Sequence, residues 1–478
     1  LFMRRSSSSA ARPRPQAAGL LVVLPGFLLV LAMISCARDR THARYGEVAD
    51  KIRRTGLMDE KAYDVLRRIT EVGPRLTASP EAAAAVDLTR KIMEGMGFDN
   101  VHLEPITVNR WVRGAKEEAK VINSGEPGRI ALSVTALGGS IGTPGPGITA
   151  PLVEVRSFEE LDRLGTGVKG KIVFFNRPMD RTQVDPFAAY GGAADQRVGG
   201  AVRAARLGAV AVLVRSLTFR IDDAPHTGMM SYSPDVPKIP AAAVSTAGAE
   251  ILSALLKNGK PVSVFLKMSC ESLPPVPSAN VVGEITGSES PHDIILVGGH
   301  LDSWDLGTGA QDDGAGCAVS LEALRLVKAI GLRPKRTIRA VLFMDEEFGG
   351  TGGRFYAVAS QRKGERHLVA MESDRGGTLP VGLAGGGSDP GALRRLRAWS
   401  ALLRPLGITD IGPGGGGVDI GPLLERGAVP VAVITNAQPY FDVHHSAHDV
   451  LESVHPRELE LQAVILAILC YIFAQEGT

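Results

Sequence analysis

The chain has 478 residues, more than a single hydrophobic core usually organises, so two folding units are the starting expectation. With 44% hydrophobic and 22% charged residues it has the make-up of a globular protein with a sizeable core, which excludes wholesale disorder. A formal net charge of +2 offers no basic surplus for a nucleic-acid partner.

Arg4, Arg5, Arg12 and Arg14 precede an apolar run over residues 20–34, the order of a secretory signal, so residues 1–36 are expected to direct export. The run is shorter than the roughly 20 residues a membrane span needs. Pro25 and Gly26 also interrupt it. Met33, Ile34, Ser35 and Cys36 have the form of a bacterial lipoprotein cleavage site, which makes Cys36 a candidate lipid anchor. Ordinary cleavage, giving a secreted or periplasmic chain, is the competing expectation. Cys270, Cys317 and Cys470 are odd in number and widely spaced, so they read as core residues, with any pairing left open.

Residues 37–127 are expected to begin the main domain. Ala62, Val65, Leu66 and Ile69 recur at helical spacing, and residues 82–96 repeat the pattern, so these helices should cover a sheet formed later in the chain. Residues 128–268 change texture to short β-rich runs punctuated by Gly and Pro, among them 171–176 and 210–214, with helices near 195–207 and 247–256. This segment is expected to be an inserted domain. Residues 269–478 then alternate apolar strands (294–297, 338–344, 367–371, 429–434) with helices (316–330, 391–403, 457–473). The fold class that follows is α/β, a mostly parallel mixed sheet covered by helices. Functional residues in such sheets gather where strands end and lead into the next helix.

Five clusters sit at such places. His300 follows an apolar strand and is a candidate zinc ligand, and Asp302, two residues on along extended chain, can anchor its second ring nitrogen. Asp312 and Asp313 open a helix between glycines, where one carboxylate can present an oxygen to each of two cations. Asp345, Glu346 and Glu347 end another strand; three adjacent acids repel unless cations offset them, and neighbouring residues can divide into a ligand and a general base. Glu372 and Asp374 supply a further carboxylate, and His444, His445 and His448 further imidazoles. Spacing alone does not choose within these sets. Histidines and carboxylates without a cysteine ligand suit zinc. Asp305 reads as a turn residue, Asp419 as a helix N-cap, and the glycine-rich run 413–417, which lacks the Lys-Ser/Thr of a phosphate loop, as a loop near the substrate.

At these residues the sequence resembles the di-zinc aminopeptidase family, most strongly over residues 298–316 (GGHLDSWDLGTGAQDDGAG) and 332–339 (LRPKRTIR). The resemblance runs from about Arg44 to Phe473. It implies His300, Asp312 and Asp374 as ligands of one zinc, Asp312, Glu347 and His445 as ligands of the other, Glu346 as general base, Asp302 as the residue that orients His300, and a cis peptide between Asp312 and Asp313. Residues 169–173 (KGKIV) and 236–240 (VPKIP) resemble a protease-associated domain, which would lie beside the mouth of the site. The expected function is a di-zinc exopeptidase acting on dipeptides or short peptides with a free amino terminus; relatives suggest a homodimer. A receptor-like binding protein and a single-zinc, glutaminyl-cyclase-like acyltransferase are the alternatives on the same fold.

Overall fold

Two eight-stranded sheets organise the chain, which a computed structural model describes over residues 43–122, 130–259 and 261–478. The expected leader and Cys36 lie outside the described residues. In the first sheet the strand order is Asp99–Val112, Glu271–Ile285, Arg336–Phe343, Ser290–His300, Arg366–Glu372, Val429–Thr435, Pro380–Gly386, Asp410–Gly414. The four central strands are parallel, and the flanking pairs make the sheet mixed.

Both faces of the centre are covered, which is why its strands read as unbroken apolar runs. Ile295, Val297, Ile338 and Ala340 pack with the helices Lys61–Thr70, Ala315–Ala329 and Pro456–Glu476. Ile294, Leu296, Val341 and Phe343 pack on the other side with Tyr356 and Ala357 of the helix Thr351–Arg362. Pro456–Glu476 is long and apolar enough to cross a membrane, but most of it is buried in this core. Cys270, Cys317 and Cys470 are buried and free.

The second sheet is drawn entirely from residues 118–267, in the order Ile130–Leu132, Glu118–Val121, Ser263–Lys267, Ile148–Val155, Ile172–Phe175, Ala211–Arg215, Ala241–Val244, Val134–Ala136. Glu118–Val121, ahead of the 128 boundary expected from the sequence, joins it by pairing with Ser263–Lys267. The helices Pro186–Arg206 and Thr246–Lys257 pack on this sheet, which has its own buried clusters, one around Phe174 and Leu213 and the other around Phe175 and Val214.

Candidate metal centre

The carboxyl ends of the parallel strands converge on one cleft. In the parallel register His300 lies opposite Phe343, so His300 and the loop that carries Glu346 and Glu347 leave the sheet side by side. Between Ser290–His300 and the helix Ala315–Ala329 the chain turns sharply, with Gly309 at φ +58° and a cis peptide joining Asp312 and Asp313. A methyl group at Gly316 would overlap the Ser373 carbonyl, so only glycine lets this turn approach the segment that leads from the strand Arg366–Glu372 to Asp374.

Asp312 is the hub. Its Oδ1 lies 3.2 Å from His300 Nε2, and its Oδ2 lies 3.1 Å from His445 Nε2 and 3.5 Å from His444 Nε2. Asp374 Oδ1 is 3.8 Å from His300 Nε2, and Glu347 Oε2 is 3.3 Å from His445 Nε2. His300, Asp312, Glu347, Asp374 and His445 are thus brought together. Buried Asp312 Oδ2, Glu347 Oε1 and Asp374 Oδ1 have no hydrogen bond. Unpaired buried carboxylate oxygens beside imidazole nitrogens are costly in a protein alone, and they are the donors a zinc ion takes.

The surrounding hydrogen bonds fix this geometry. His300 Nδ1 lies 3.0 Å from the backbone carbonyl of Asp302, which leaves Nε2 as the nitrogen facing Asp312. The sequence assigned that anchor to the Asp302 carboxylate, which is instead 3.9 Å away. That carboxylate is engaged elsewhere, accepting from Thr77 Oγ1 at 2.6 Å and from the backbone N–H groups of Asp345, Glu346 and Glu347 at 2.8, 3.2 and 3.3 Å. Asp302 therefore acts on His300 through its backbone and on the acidic loop through its side chain. Asp449 accepts from the backbone N–H groups of Gln311 and Asp312 at 2.6 and 3.2 Å, and the Trp304 indole donates to Glu347 Oε2 at 2.5 Å. Arg75, fully buried, donates to the carbonyls of Leu301, Thr308 and Gly309 and staples the loop between the first two clusters.

Charge sorts the acids. Burial would raise Asp312, but His300 and His445 hold it well below the usual carboxylate range. Burial pushes Glu346 well up, against the pull of His300 and with help from Glu347, Asp374 and Asp419. Asp313 is also raised by burial; it caps the turn by accepting from His300 N and Gly316 N, both at 3.0 Å.

The other sequence candidates separate. Glu372 turns away to accept from Ile420 N at 2.9 Å. His448 is exposed, whereas His444, which the resemblance set aside, stacks on His445 with ring centroids 3.5 Å apart. The adjacent histidines carried no signal that would have predicted both to face the cleft. Asp305 forms a two-pronged pair with Arg113 at 2.8 and 2.6 Å. Asp419 is not an N-cap: Ile420 precedes the short helix Gly421–Leu424, and Asp419 is fully buried with both oxygens unpaired. The run 413–417 is partly strand, since Asp410–Gly414 pairs at the sheet edge. The cleft, about 360 Å³, is walled on one side by Phe187, Tyr190, Arg197 and Met229 of the second unit. Nothing in their sequence setting singled these four out.

The model of peptidase family M28 matches residues 280–469, the stretch that holds all five convergent residues. Carboxypeptidase Q of Bos taurus is 39% identical over 436 residues, covering 90% of this chain and 90% of that protein. The chain belongs to peptidase family M28. The crystal structure of a peptidase M28 precursor from Shewanella amazonensis SB2B aligns with a TM-score of 0.86 at 35% identity, covering 90% of this chain and 97% of that one. BSAP, a zinc aminopeptidase from Bacillus subtilis, shares the fold with a TM-score of 0.62 at 20% identity, over 87% of this chain and 95% of its own. This M28 chain is a zinc metallopeptidase similar to carboxypeptidase Q.

Proposed function

We propose that the protein is an exported exopeptidase that hydrolyses dipeptides or short peptides at a free amino terminus, on a centre of two zinc ions. The observation that carries this reading is Asp312, each of whose carboxylate oxygens is addressed by a different imidazole, His300 on Oδ1 and His445 on Oδ2. A carboxylate shared in this way, with further donors on either side, is what a pair of neighbouring cations requires. His300, Asp312 and Asp374 would hold one ion, and Asp312, Glu347 and His445 the other. Zinc bound there supplies Lewis acidity toward the scissile carbonyl and brings the pKa of water toward neutrality.

The chain's own residues supply the rest. Glu346 lines the cleft next to Glu347 and acts as general base, taking a proton from the attacking water and passing it to the leaving amine. Tyr440, Phe187 and Phe441 form an aromatic wall that excludes bulk water. A cleft of about 360 Å³ suits a short peptide. The second unit, which we read as a protease-associated domain, narrows the entrance. Its backbone touches the centre directly, with Thr227 N donating to the His445 carbonyl at 2.9 Å. Export by residues 1–36, with acylation at Cys36 or ordinary cleavage, and assembly as a homodimer belong to the same proposal.

Zinc analysis of the purified protein, combined with a dipeptide library assayed with and without chelator, tests the reading. Two zinc ions per chain and chelator-sensitive hydrolysis of dipeptides are expected. One ion per chain without hydrolysis would point to a cyclase-type reaction, and none to a receptor.

A further inference from the structure

His444 lines the cleft but has no part in the centre as assembled above. It is 5% exposed, follows the helix Gln438–Val443 and packs its ring among four others, with centroids at 5.1 Å for Tyr190, 4.9 Å for Tyr440, 5.3 Å for Phe441 and 3.5 Å for His445. Its backbone is held as firmly, the N–H donating to the Tyr440 carbonyl at 2.8 Å and the carbonyl meeting His226 Nδ1 at 2.6 Å. Fixed in this way, its Nε2 lies 3.5 Å from Asp312 Oδ2. His445 takes that oxygen at 3.1 Å and also faces Glu347 Oε2 at 3.3 Å, so His444 is the imidazole left over. Among the described residues no hydrogen bond engages its side chain. A box of aromatic rings would hold phenylalanine equally well, and nitrogens carried into it cost desolvation unless they are used.

The position of the ring says what the use is. Asp312 divides the centre into two flanks. Its Oδ1 faces His300, which lies beside Asp374 and under the charge of Glu346, and its Oδ2 faces His445 and His444. Water deprotonated by Glu346 attacks the scissile carbonyl from the first flank. The π pair of the carbonyl then moves onto its oxygen, which turns toward the second flank and His444 Nε2. A neutral imidazole with its proton on Nε2 offers that oxygen one hydrogen bond. A donor already fixed in a water-poor cleft needs no reorganisation at the moment of reaction. Ligation is the rival use, since Asp312, His444 and His445 could hold an ion between them. Glu347, however, already offers a buried, unpaired Oε1 on that flank, so the second ion has its donors without His444.

We propose that His444 is a catalytic residue that donates a hydrogen bond from Nε2 to the oxygen on which negative charge develops as the scissile carbon becomes tetrahedral. The proton stays on the imidazole throughout; the proton of the attacking water goes to Glu346 and from there to the leaving amine. The inference rests on the peptidase reading of the cleft and adds a group to its chemistry.

Parent, His444→Phe and His444→Gln, all zinc-loaded, are compared with alanyl-alanine as planar substrate and with its phosphinic analogue, whose tetrahedral phosphorus carries the charged oxygen. Phenylalanine keeps the ring and its packing, and glutamine returns a donor. In His444→Phe kcat should fall by about 10²–10³-fold while KM stays within about threefold, as expected for a contact made only in the transition state. The inhibition constant of the phosphinic analogue should rise by a comparable factor, and His444→Gln should recover part of both losses. Substrate and analogue are compared within each variant, so a partly unfolded population, which weakens both alike, does not imitate the effect. Zinc affinity, measured by competition with a chelator, should match the parent. A fall of about 10–100-fold in zinc affinity would make His444 a ligand or the support of one and overturn the assignment. So would an unchanged kcat, or a lowered kcat with the phosphinic analogue bound as tightly as by the parent. If the parent hydrolyses no dipeptide, the peptidase reading fails separately. Alanyl-alanine is then a stable ligand and calorimetry decides on His444: weaker binding of the phosphinic analogue alone in His444→Phe supports the assignment, and an equal loss for both ligands, or none, overturns it.

Discussion

At Glu346 the protein's own charges favour a proton, since burial and the carboxylates of Glu347, Asp374 and Asp419 outweigh His300. Glu346 lines the cleft beside Glu347, a position from which its carboxylate can exchange a proton with a bound water, the role proposed above. Glu346→Gln preserves shape and leaves the five convergent donors untouched, so zinc content should match the parent while kcat falls by about 10²–10⁴-fold. Dipeptide turnover at the parental rate would refute the assignment. Asp302 makes a different prediction. In Asp302→Ala three backbone N–H groups lose their acceptor, and the two buried ones, of Asp345 and Glu347, cost about 1–3 kcal/mol each when left unpaired. The melting temperature and kcat should both drop, whereas loss of kcat alone would mean that the carboxylate touches the reaction and not the loop. The clusters that hold the five convergent residues were legible in the sequence because most of them fall where apolar strands end, whereas the choice of Asp312, Glu347, Asp374 and His445 within their clusters came from the family resemblance and not from spacing. How Asp302 acts was not legible, since the choice between its carbonyl and its carboxylate depends on Thr77 and on the acidic loop, remote in sequence. His445 is a similar case. Its left-handed φ of +61°, unusual for a side-chained residue, is held by contacts with the second unit that no local pattern encodes.

The elements that the sequence showed best are the doubly covered strands and their helices, and those it hid lie at edges or carry glycine. Asp99–Val112 and Glu271–Ile285 form a long antiparallel pair at one side of the sheet, and Pro105, Pro274, Pro275 and Pro277 obscure it. An edge position tolerates proline because no neighbour requires every N–H. The helix Thr351–Arg362 begins with Gly352 and Gly353, poor helix formers that are needed because a Cβ at either would run into Asn280 and Met344 or the backbone of Asp419. The helix Pro456–Glu476 carries a buried exception of another kind. Glu460 lies against Glu322 of Ala315–Ala329, and Arg325 clamps Glu322 with two 2.6 Å bonds. Burial, followed by Glu322, pushes the Glu460 carboxyl up to about 8 from an ordinary 4.5. Because the folded value lies above the unfolded one, the folded chain holds the extra proton between them. The stability it contributes is complete below about pH 4.5 and is lost as pH rises through about 8. Glu460→Gln supplies a permanent neutral donor, so its melting temperature should exceed the parent's at pH 8.5 and lose that advantage at pH 5. A gain of about 1 kcal/mol corresponds to roughly 2–4 °C in domains of 150–250 residues. Parallel melting curves for parent and variant across that range would show that Glu460 does not hold the proton.

On the scale of the whole molecule, the second unit helps to build the centre as well as covering it. His226 Nδ1 meets the His444 carbonyl at 2.6 Å and Thr227 N donates to the His445 carbonyl at 2.9 Å, so one loop of that unit clamps the backbone that carries both stacked imidazoles. Trp304 forms the second link. Its indole nitrogen holds Glu347, its ring lies 5.6 Å from that of His445, and the far edge of the ring fills the space over Gly138, where any Cβ would overlap it. Gly138 belongs to the second unit and is remote from every candidate ligand in sequence, yet its lack of a side chain allows the indole to reach Glu347. Gly138→Val should therefore displace Trp304, release Glu347 and weaken zinc binding by about 10–100-fold, the usual cost of losing a partner that orients a ligand. Competition against a chelator measures the affinity, and tryptophan fluorescence reports the displacement. Gly167→Val, at an exposed turn of the same unit with open space around it, controls for a general effect of the added side chain. If Gly138→Val moves the fluorescence but binds zinc as tightly as the parent, the clamp on His444 and His445 suffices to shape the centre and the Trp304 link does not contribute to metal affinity.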